Sequence, residues 1–315
     1  MNSQEQDNNA ELLQGMASRV NEYGFRAIKQ KADLPYFAGI FDTEVNFSIN
    51  YNSIYIAYDK HNENLLKILS SSLGGNIQKC KPLPNRKSDI WLWSVGSDQT
   101  YRILKKIQPF LRINREKARL CIECYEKCAE PGLNRPDKAK ISEEYTKLLK
   151  DCYIKPEERF DYADSPNSKL AYLAGIFDID SSFVITRRTE PRRNTYLLEV
   201  IKRKSDYETM EFIRGTFGGT IHRASNSRLN KKDIWEIKYT SQKAYAVLKL
   251  IYPFLTAQKR IAQICMEFQE KYYTGCIGAQ ISPERSAIGA KYANMLHSYH
   301  LKWRSRYGKT NQTTN

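Results

Sequence analysis

The apolar and polar positions of this chain follow two periods in alternation. "LPYFAGIFD" from Leu34 and "LAYLAGIFD" from Leu170 are apolar at helical spacing, with Asp33 or Ser168 just ahead as candidate N-caps and Pro35 near the first turn. A helix is therefore predicted to end near the acids that follow. Beyond it, "NFSINYNSIYIAY" in one place and "SFVITRR" with "TYLLEVIKRK" in the other alternate at period two and predict two strands apiece. "NENLLKILSSSLGG" and "DYETMEFIRGTFGG" read as amphipathic helices closed by Gly-Gly. Two more strands follow each, "NIQKCKP" with "DIWLWSV" and "TIHRA" with "DIWEIKY". Then come a helix ending at "PFL" and a last helix through Ala118 or Ala262.

The chain thus writes one αββαββα unit twice. Gly39 matches Gly175 at an offset of 136, whereas Gly74-Gly75 match Gly218-Gly219, Asp89 matches Asp233 and Pro109 matches Pro253 at an offset of 144. The second copy has gained eight residues around "RRTEPRRNT", read here as a longer hairpin loop. Between "LPYFAGIFDTEVNFSI" and "LAYLAGIFDIDSSFVI" nine of sixteen positions are identical, so both halves follow one plan. The copies occupy about 34–129 and 169–273. Residues 130–168 read as a charged, proline-bearing linker with one short helix around 143–150. Residues 1–33 read as a weakly amphipathic arm and 274–315 as a basic helix and tail.

Charge narrows the partner. Fifty Lys+Arg against 35 Asp+Glu leave a net +15 in 315 residues, a field that attracts a polyanion: nucleic acid first, an acidic membrane surface second. No apolar run reaches the ~20 residues of a membrane span, and "MNSQEQDNNAE" lacks the layout of a signal peptide. An intracellular aqueous compartment is expected, an organellar matrix or a bacterial or phage cytoplasm alike. Seven cysteines in a chain of this size read as thiols, and Cys121, Cys124 and Cys128 share a helix face as core residues rather than as metal ligands.

Ala38-Gly39 and Ala174-Gly175 fall mid-helix, where glycine costs about 1 kcal/mol relative to alanine, so two backbones are expected to approach closely there. If the two helices lie side by side about a local twofold, their C-terminal ends bring Glu44 and Asp180 together. Two carboxylates at two negative helix ends repel unless a hard divalent cation sits between them. On a basic protein that arrangement points to phosphodiester hydrolysis.

The two "AGIFD-x-[ED]" strings, each followed by "xxF" and the same succession of elements, resemble the single-chain LAGLIDADG homing endonucleases over most of the chain. The resemblance implies an α+β fold: two pseudo-symmetric repeats forming a saddle of two four-stranded antiparallel sheets over the DNA major groove. It implies double-strand cleavage of a long target, leaving four-base 3′ overhangs, with Mg²⁺ or Mn²⁺ held by Glu44 and Asp180 and by the backbone carbonyls of Thr43 and Ile179. Two departures stand out. Val45 and Ser181 occupy places where a glycine is usual, and Asn114 and Gln258 occupy places where a lysine is frequent. Arg112, Arg115, Lys259 and Lys202 are the candidates to restore a cation at the periphery of the active site.

Strand parity selects a DNA-facing side. In the first copy it carries Ser48, Asn50 and Asn52, with Phe47 and Ile49 turned to the core; in the second it carries Val184, Thr186 and Arg188. Gln78, Cys80, His222 and Ala224 continue it, and the loops add Arg86, Lys87, Arg192, Arg193, Arg228, Lys231 and Lys232. Trp91 and Trp235 are expected to brace the sheets. The copies differ at almost every such place, so an asymmetric double-stranded DNA target, bound by a monomer without a membrane, is expected. The alternatives are an intron maturase binding RNA, a DNA-binding regulator that does not cut, and a basic structural RNA-binding protein.

Overall fold

A computed structural model of the chain describes residues 33–43, 45–50, 53–60, 63–80, 90–152, 162, 165–179, 181–190, 193–224, 233–272 and 282–308. The first copy runs α1 (Asp33–Phe41), β1 (Asn46–Asn50), β2 (Ser53–Lys60), α2 (Glu63–Leu73), β3 (Asn76–Cys80), β4 (Ile90–Val95), α3 (Ser97–Ile107), a 3-10 turn (Gln108–Phe110) and α4 (Arg115–Cys128). A further helix, α5 (Arg135–Asp151), leads to the second copy: α6 (Pro166–Asp178), β5 (Ser181–Glu190), β6 (Arg193–Lys204), α7 (Tyr207–Phe217), β7 (Ile221–Arg223), β8 (Trp235–Thr240), α8 (Ser241–Ile251), α9 (Lys259–Tyr272) and α10 (Pro283–Gly308).

The strands pair wholly antiparallel into two four-stranded sheets, ordered β1-β2-β4-β3 and β5-β6-β8-β7. Alternation gives each sheet a buried side: Ile49, Trp93 and Val95 in the first, Phe183, Ile185, Leu198, Val200, Ile237 and Tyr239 in the second. The helices preceding β3 and β7 end on glycine pairs with positive φ, 75° and 86° at Gly74 and Gly75, 67° and 104° at Gly218 and Gly219. Only glycine takes that conformation without a steric penalty. The chain divides into two compact units after Ile179, so α6 belongs to the first unit and packs against α1.

Four expectations are revised. The eight extra residues of the second copy do not lengthen the loop: β5 and β6 stay paired to Glu190↔Arg193, and Arg187↔Tyr196, Arg188↔Thr195 and Thr189↔Asn194 are added rungs of the ladder. Two residues separate the strands in both copies, 51–52 and 191–192. The turn-like look of "RRTEPRRNT" came from its charges, which strand pairing accommodates. Ser168 is not the N-cap of α6. The helix begins earlier, Ser165 takes the N-cap position, and the two hydroxyls hydrogen-bond at 2.7 Å.

The third revision concerns the linker. Its helix spans 17 residues, begins at an N-cap where Asn134 accepts from the Asp137 amide at 2.9 Å, and packs on α4 and β1. In its own unit α10 packs in the same way on α9 and β5. Lys127 lies over the Tyr145 ring at 5.1 Å, and Lys271 over the Tyr292 ring at 5.7 Å. Pro136, Ile141, Tyr145 and Leu149 recur as Pro283, Ile288, Tyr292 and Leu296 at an offset of 147. Each repeat is therefore αββαββαα. Lastly, Val45 and Ser181 need no left-handed backbone, since among the described residues the only non-glycine positions with positive φ are Tyr162 and Ser241.

The six described cysteines are free, and Cys121, Cys124 and Cys128 are buried on α4. Burial pushes the Cys121 and Cys124 thiols up to about 12, the behaviour of small core residues. Among the described residues no helix is long and apolar enough to cross a membrane.

Candidate active site and nucleic-acid face

The two motif helices meet at their glycines. A Cβ on Gly39 would lie 2.1 Å from the carbonyl oxygen of Tyr172, and one on Gly175 would lie 2.1 Å from that of Tyr36, so each glycine exists to admit the other helix's backbone. Ala38 and Ala174 are fully buried beside them. The packing is reciprocal in its polar groups too. The Tyr36 hydroxyl donates to Asp178 Oδ2 at 2.8 Å, and the Tyr172 hydroxyl donates to Asp42 Oδ2 at 2.8 Å. Each helix thus fixes the C-terminal end of the other.

The end of α1 is further tied down from the segment before α4. Asp42 Oδ2 accepts from the Arg112 amide at 2.7 Å, and Oδ1 from the Asn114 amide at 2.7 Å. Burial raises the Asp42 carboxyl above its ordinary range, against the pull of these donors. It also raises the Tyr172 hydroxyl, which keeps its proton and remains a donor. Tyr162 braces the same place: its hydroxyl donates to the Phe110 carbonyl at 2.5 Å, and its ring lies 4.9 Å from that of Tyr172. Tyr36, Tyr172, Asp42 and Asp178 were identical between the two strings, a signal in the sequence that pointed to a shared role.

Glu44 and Asp180, the expected metal-holding acids, lie outside the described residues; each is the next residue after Thr43 or Ile179. Thr43 donates its hydroxyl to the Gly39 carbonyl at 2.7 Å and the Ile40 carbonyl at 2.6 Å, closing the last turn of α1. Ile179 takes the C-cap position of α6, its amide directed to the Ile176 carbonyl at 3.4 Å. Next to Asp180 in sequence, Ser181 has a buried hydroxyl with no hydrogen-bond partner among the described residues. These donors are all oxygens, which suits a hard divalent cation such as Mg²⁺ rather than a thiolate- or imidazole-seeking one. Among the described residues no cluster of three or more His, Cys, Asp or Glu side chains is assembled.

The candidates for the periphery separate. Asn114 is buried, and its side-chain amide donates to the Phe41 carbonyl at 2.8 Å, so it serves as a cap for α1. Gln258 Nε2 lies 3.3 Å from the Ser181 carbonyl. Lys259 is half-buried, with its ammonium 3.4 Å from the Pro253 carbonyl and over the Tyr252 ring at 5.1 Å. Arg115 is the first residue of α4, and Arg112 supplies its amide to Asp42. Lys202 differs from the rest. It is 1% exposed, shares the core side of β6 with Leu198 and Val200, and sits opposite Ser181 in the ladder. The corresponding residue of the first copy is Tyr58, at an offset of 144.

On the outward sides, Ser48 and Gln78 are exposed and Cys80 half-buried in the first sheet; in the second, Thr186 and Val184 are half-buried and Arg188 and His222 exposed. The side chains of Asn50 and Arg193 are not described, although both residues are in strands. Asn52, Arg86, Lys87, Arg192, Arg228, Lys231 and Lys232 lie outside the described residues. Trp235 braces its sheet edge-on against Tyr207, with ring centroids 4.8 Å apart. Trp91 takes the core-side parity of Trp93 and is half-buried. Sequence reading missed Glu199 and Lys238, which form an ion pair at 2.8 Å on the outward side of the second sheet. Parity alone would have placed Glu199 there.

No family model matches the sequence, and no curated protein matches it significantly. Solved structures do match in fold. The LAGLIDADG homing endonuclease I-GzeII in complex with its DNA target aligns at a TM-score of 0.58 and 13% identity, over 84% of this chain and 98% of that one. The meganuclease I-SmaMI bound to uncleaveable DNA aligns at 0.55 and 16%, over 85% and 100%. The LAGLIDADG meganuclease I-AabMI bound to uncleaved DNA aligns at 0.54 and 13%, over 89% and 99%. With the reciprocal helix pair and the twice-written αββαββ core, these alignments give the chain the fold of the LAGLIDADG homing endonucleases.

Proposed function

We propose that this protein is a site-specific double-strand DNA endonuclease that hydrolyses phosphodiesters at a long, asymmetric target with the help of a divalent cation. The observation that carries the reading is the reciprocal packing of α1 and α6. Glycine admits backbone, tyrosine reaches across to aspartate, and two residues beyond each buried aspartate the chain supplies Glu44 or Asp180. The net charge of +15 suits a polyanionic partner, and the similar I-GzeII and I-AabMI structures are complexes with DNA.

Glu44 and Asp180, with the carbonyls of Thr43 and Ile179, would hold Mg²⁺ or Mn²⁺. Such an ion, when bound, eases deprotonation of a water and neutralises charge developing on the phosphate. I-SmaMI has been solved bound to its uncleaved DNA target in the presence of calcium ions, a protein of this fold with a divalent cation at hand. In each strand the water oxygen adds to phosphorus, the bond from phosphorus to the 3′ oxygen breaks, and that oxygen leaves with a proton. Asn114 fixes the end of α1, the helix that Glu44 follows in sequence. Lys202 brings a buried amine side chain opposite Ser181 in the second copy alone, a difference between the two halves next to Asp180 in sequence.

The test is a plasmid library carrying randomised inserts, incubated with the protein and Mg²⁺ or with EDTA. Linear products with four-base 3′ overhangs, sharing a sequence and absent in EDTA, are expected. Duplex binding without cutting in any divalent metal would establish a regulator instead, and selective binding of a folded intron RNA a splicing cofactor.

A further inference from the structure

Along β6 the side chains alternate cleanly. Tyr196, Leu198, Val200 and Lys202 turn to the core and are buried, whereas Leu197, Ile201 and Arg203 face outward and stay at least partly exposed. Glu199 breaks the pattern. It belongs to the outward side, paired in the ladder with Val184 and Thr240, yet it is 5% exposed. Neighbouring side chains of the same sheet engage both carboxylate oxygens. The Thr186 hydroxyl donates to Oε2 at 3.0 Å, the Lys238 ammonium lies 2.8 Å from Oε1, and the Arg188 guanidinium lies 3.8 Å from Oε1.

The ladder itself has no need of this cluster. At the matching positions the first copy has Tyr55 for Glu199, Asn50 for Thr186 and Ser94 for Lys238, Arg188 falls on a rung that the first copy lacks, and the first copy builds the same four-stranded sheet. Nor is it a solvated surface pair of the ordinary kind, because a carboxylate taken out of water must be matched by partners held in place. The device recurs on the same side: Arg203 donates through Nε to Glu236 Oε2 at 2.5 Å, directly across the ladder. A loose arginine or lysine would bind any phosphate within reach. One drawn toward a buried carboxylate, as Arg188 is at 3.8 Å and Lys238 at 2.8 Å, is biased toward one place, which favours reading the O6 and N7 edge of guanine. The carboxylate also repels phosphate, which disfavours the backbone contact that would blur the readout.

We propose that Glu199 is a specificity-determining positioning residue, which holds Arg188 and Lys238 on the outward side of the second sheet for reading base edges in a DNA major groove. This rests on the endonuclease reading above. Asymmetry follows from it, since only the second copy carries the cluster.

The experiment is selection of bound duplexes from a randomised DNA library by the full chain carrying Glu44→Gln, so that binding is read without cutting, with and without Glu199→Gln. The parent is expected to enrich one sequence. The Glu199→Gln protein should lose preference about tenfold at one or two adjacent base pairs and keep the rest. Its affinity should fall more steeply with salt, because one opposing charge is gone. Arg188→Gln, at a side chain 55% exposed and so without risk to folding, should relax the same base pairs. Unchanged preference in Glu199→Gln, loss spread evenly over all positions, or relaxation at different base pairs in Arg188→Gln would each overturn the proposal. A parent that enriches no sequence at all would overturn the DNA-binding reading itself, and this one with it.

Discussion

At Gly39 the structure leaves no space for even one carbon, because the oxygen that a methyl would meet belongs to the Tyr172 backbone and cannot rotate away. Gly39→Ala should therefore cost at least about 3 kcal/mol, read by urea denaturation; a cost near that of a solvent-exposed site would mean the helices are not in contact there. Asp42 supplies a pH signature at the same contact. Burial raises its carboxyl above the ordinary 3.8, against the hydrogen bonds it accepts. The folded chain then holds the proton more tightly than the unfolded one, so stability linked to this group is fully present below about pH 4 and is lost as pH rises through the raised value. Asp42→Asn abolishes the titration. The unfolding free energy of wild type relative to this variant should be greater at pH 4 than at pH 7, and the opposite order would show that the donors around Asp42 outweigh its burial.

Among the elements, α5 and α10 show how a repeat hides from its own sequence. Four shared residues, Pro136, Ile141, Tyr145 and Leu149 against Pro283, Ile288, Tyr292 and Leu296, are scattered among solvent-facing charges, and their offset differs by three from that of the preceding elements. Because both tyrosines are buried in the same setting, Tyr145→Ala and Tyr292→Ala should each cost about 3 kcal/mol or more. Each should speed amide exchange in its own helix and the strand it covers, which hydrogen-exchange mass spectrometry would resolve. A free linker helix would show no such effect at Tyr145. The glycine-bearing helices were legible in advance because a mid-helix glycine has one cheap explanation, close backbone approach. Strand parity was legible for the same reason, since a period of two has only two faces. The extended β5–β6 hairpin was not, because its added rungs are written mostly in charged and polar residues without an apolar alternation to mark them as strand. The Glu199 cluster was hidden because its members come from three strands and meet only through pairing.

For the whole molecule, the proposed DNA substrate rests on a net positive charge, two four-stranded sheets and a duplicated motif followed by acids. The two halves are alike where the fold is built, at glycine, tyrosine and aspartate. They differ where a target would be read, at Asn50 against Thr186 and Tyr55 against Glu199. That division is what a single chain acting on an asymmetric duplex calls for. The central claim is that each half contributes one acid to cleavage, and its most direct measurement is the rate of Mg²⁺-dependent cutting of a selected duplex by wild type, Glu44→Gln and Asp180→Asn, alongside the binding of each. The account predicts that all three bind alike while each variant cuts about a hundredfold or more slowly than wild type; a variant that binds and cuts at the wild-type rate would contradict it.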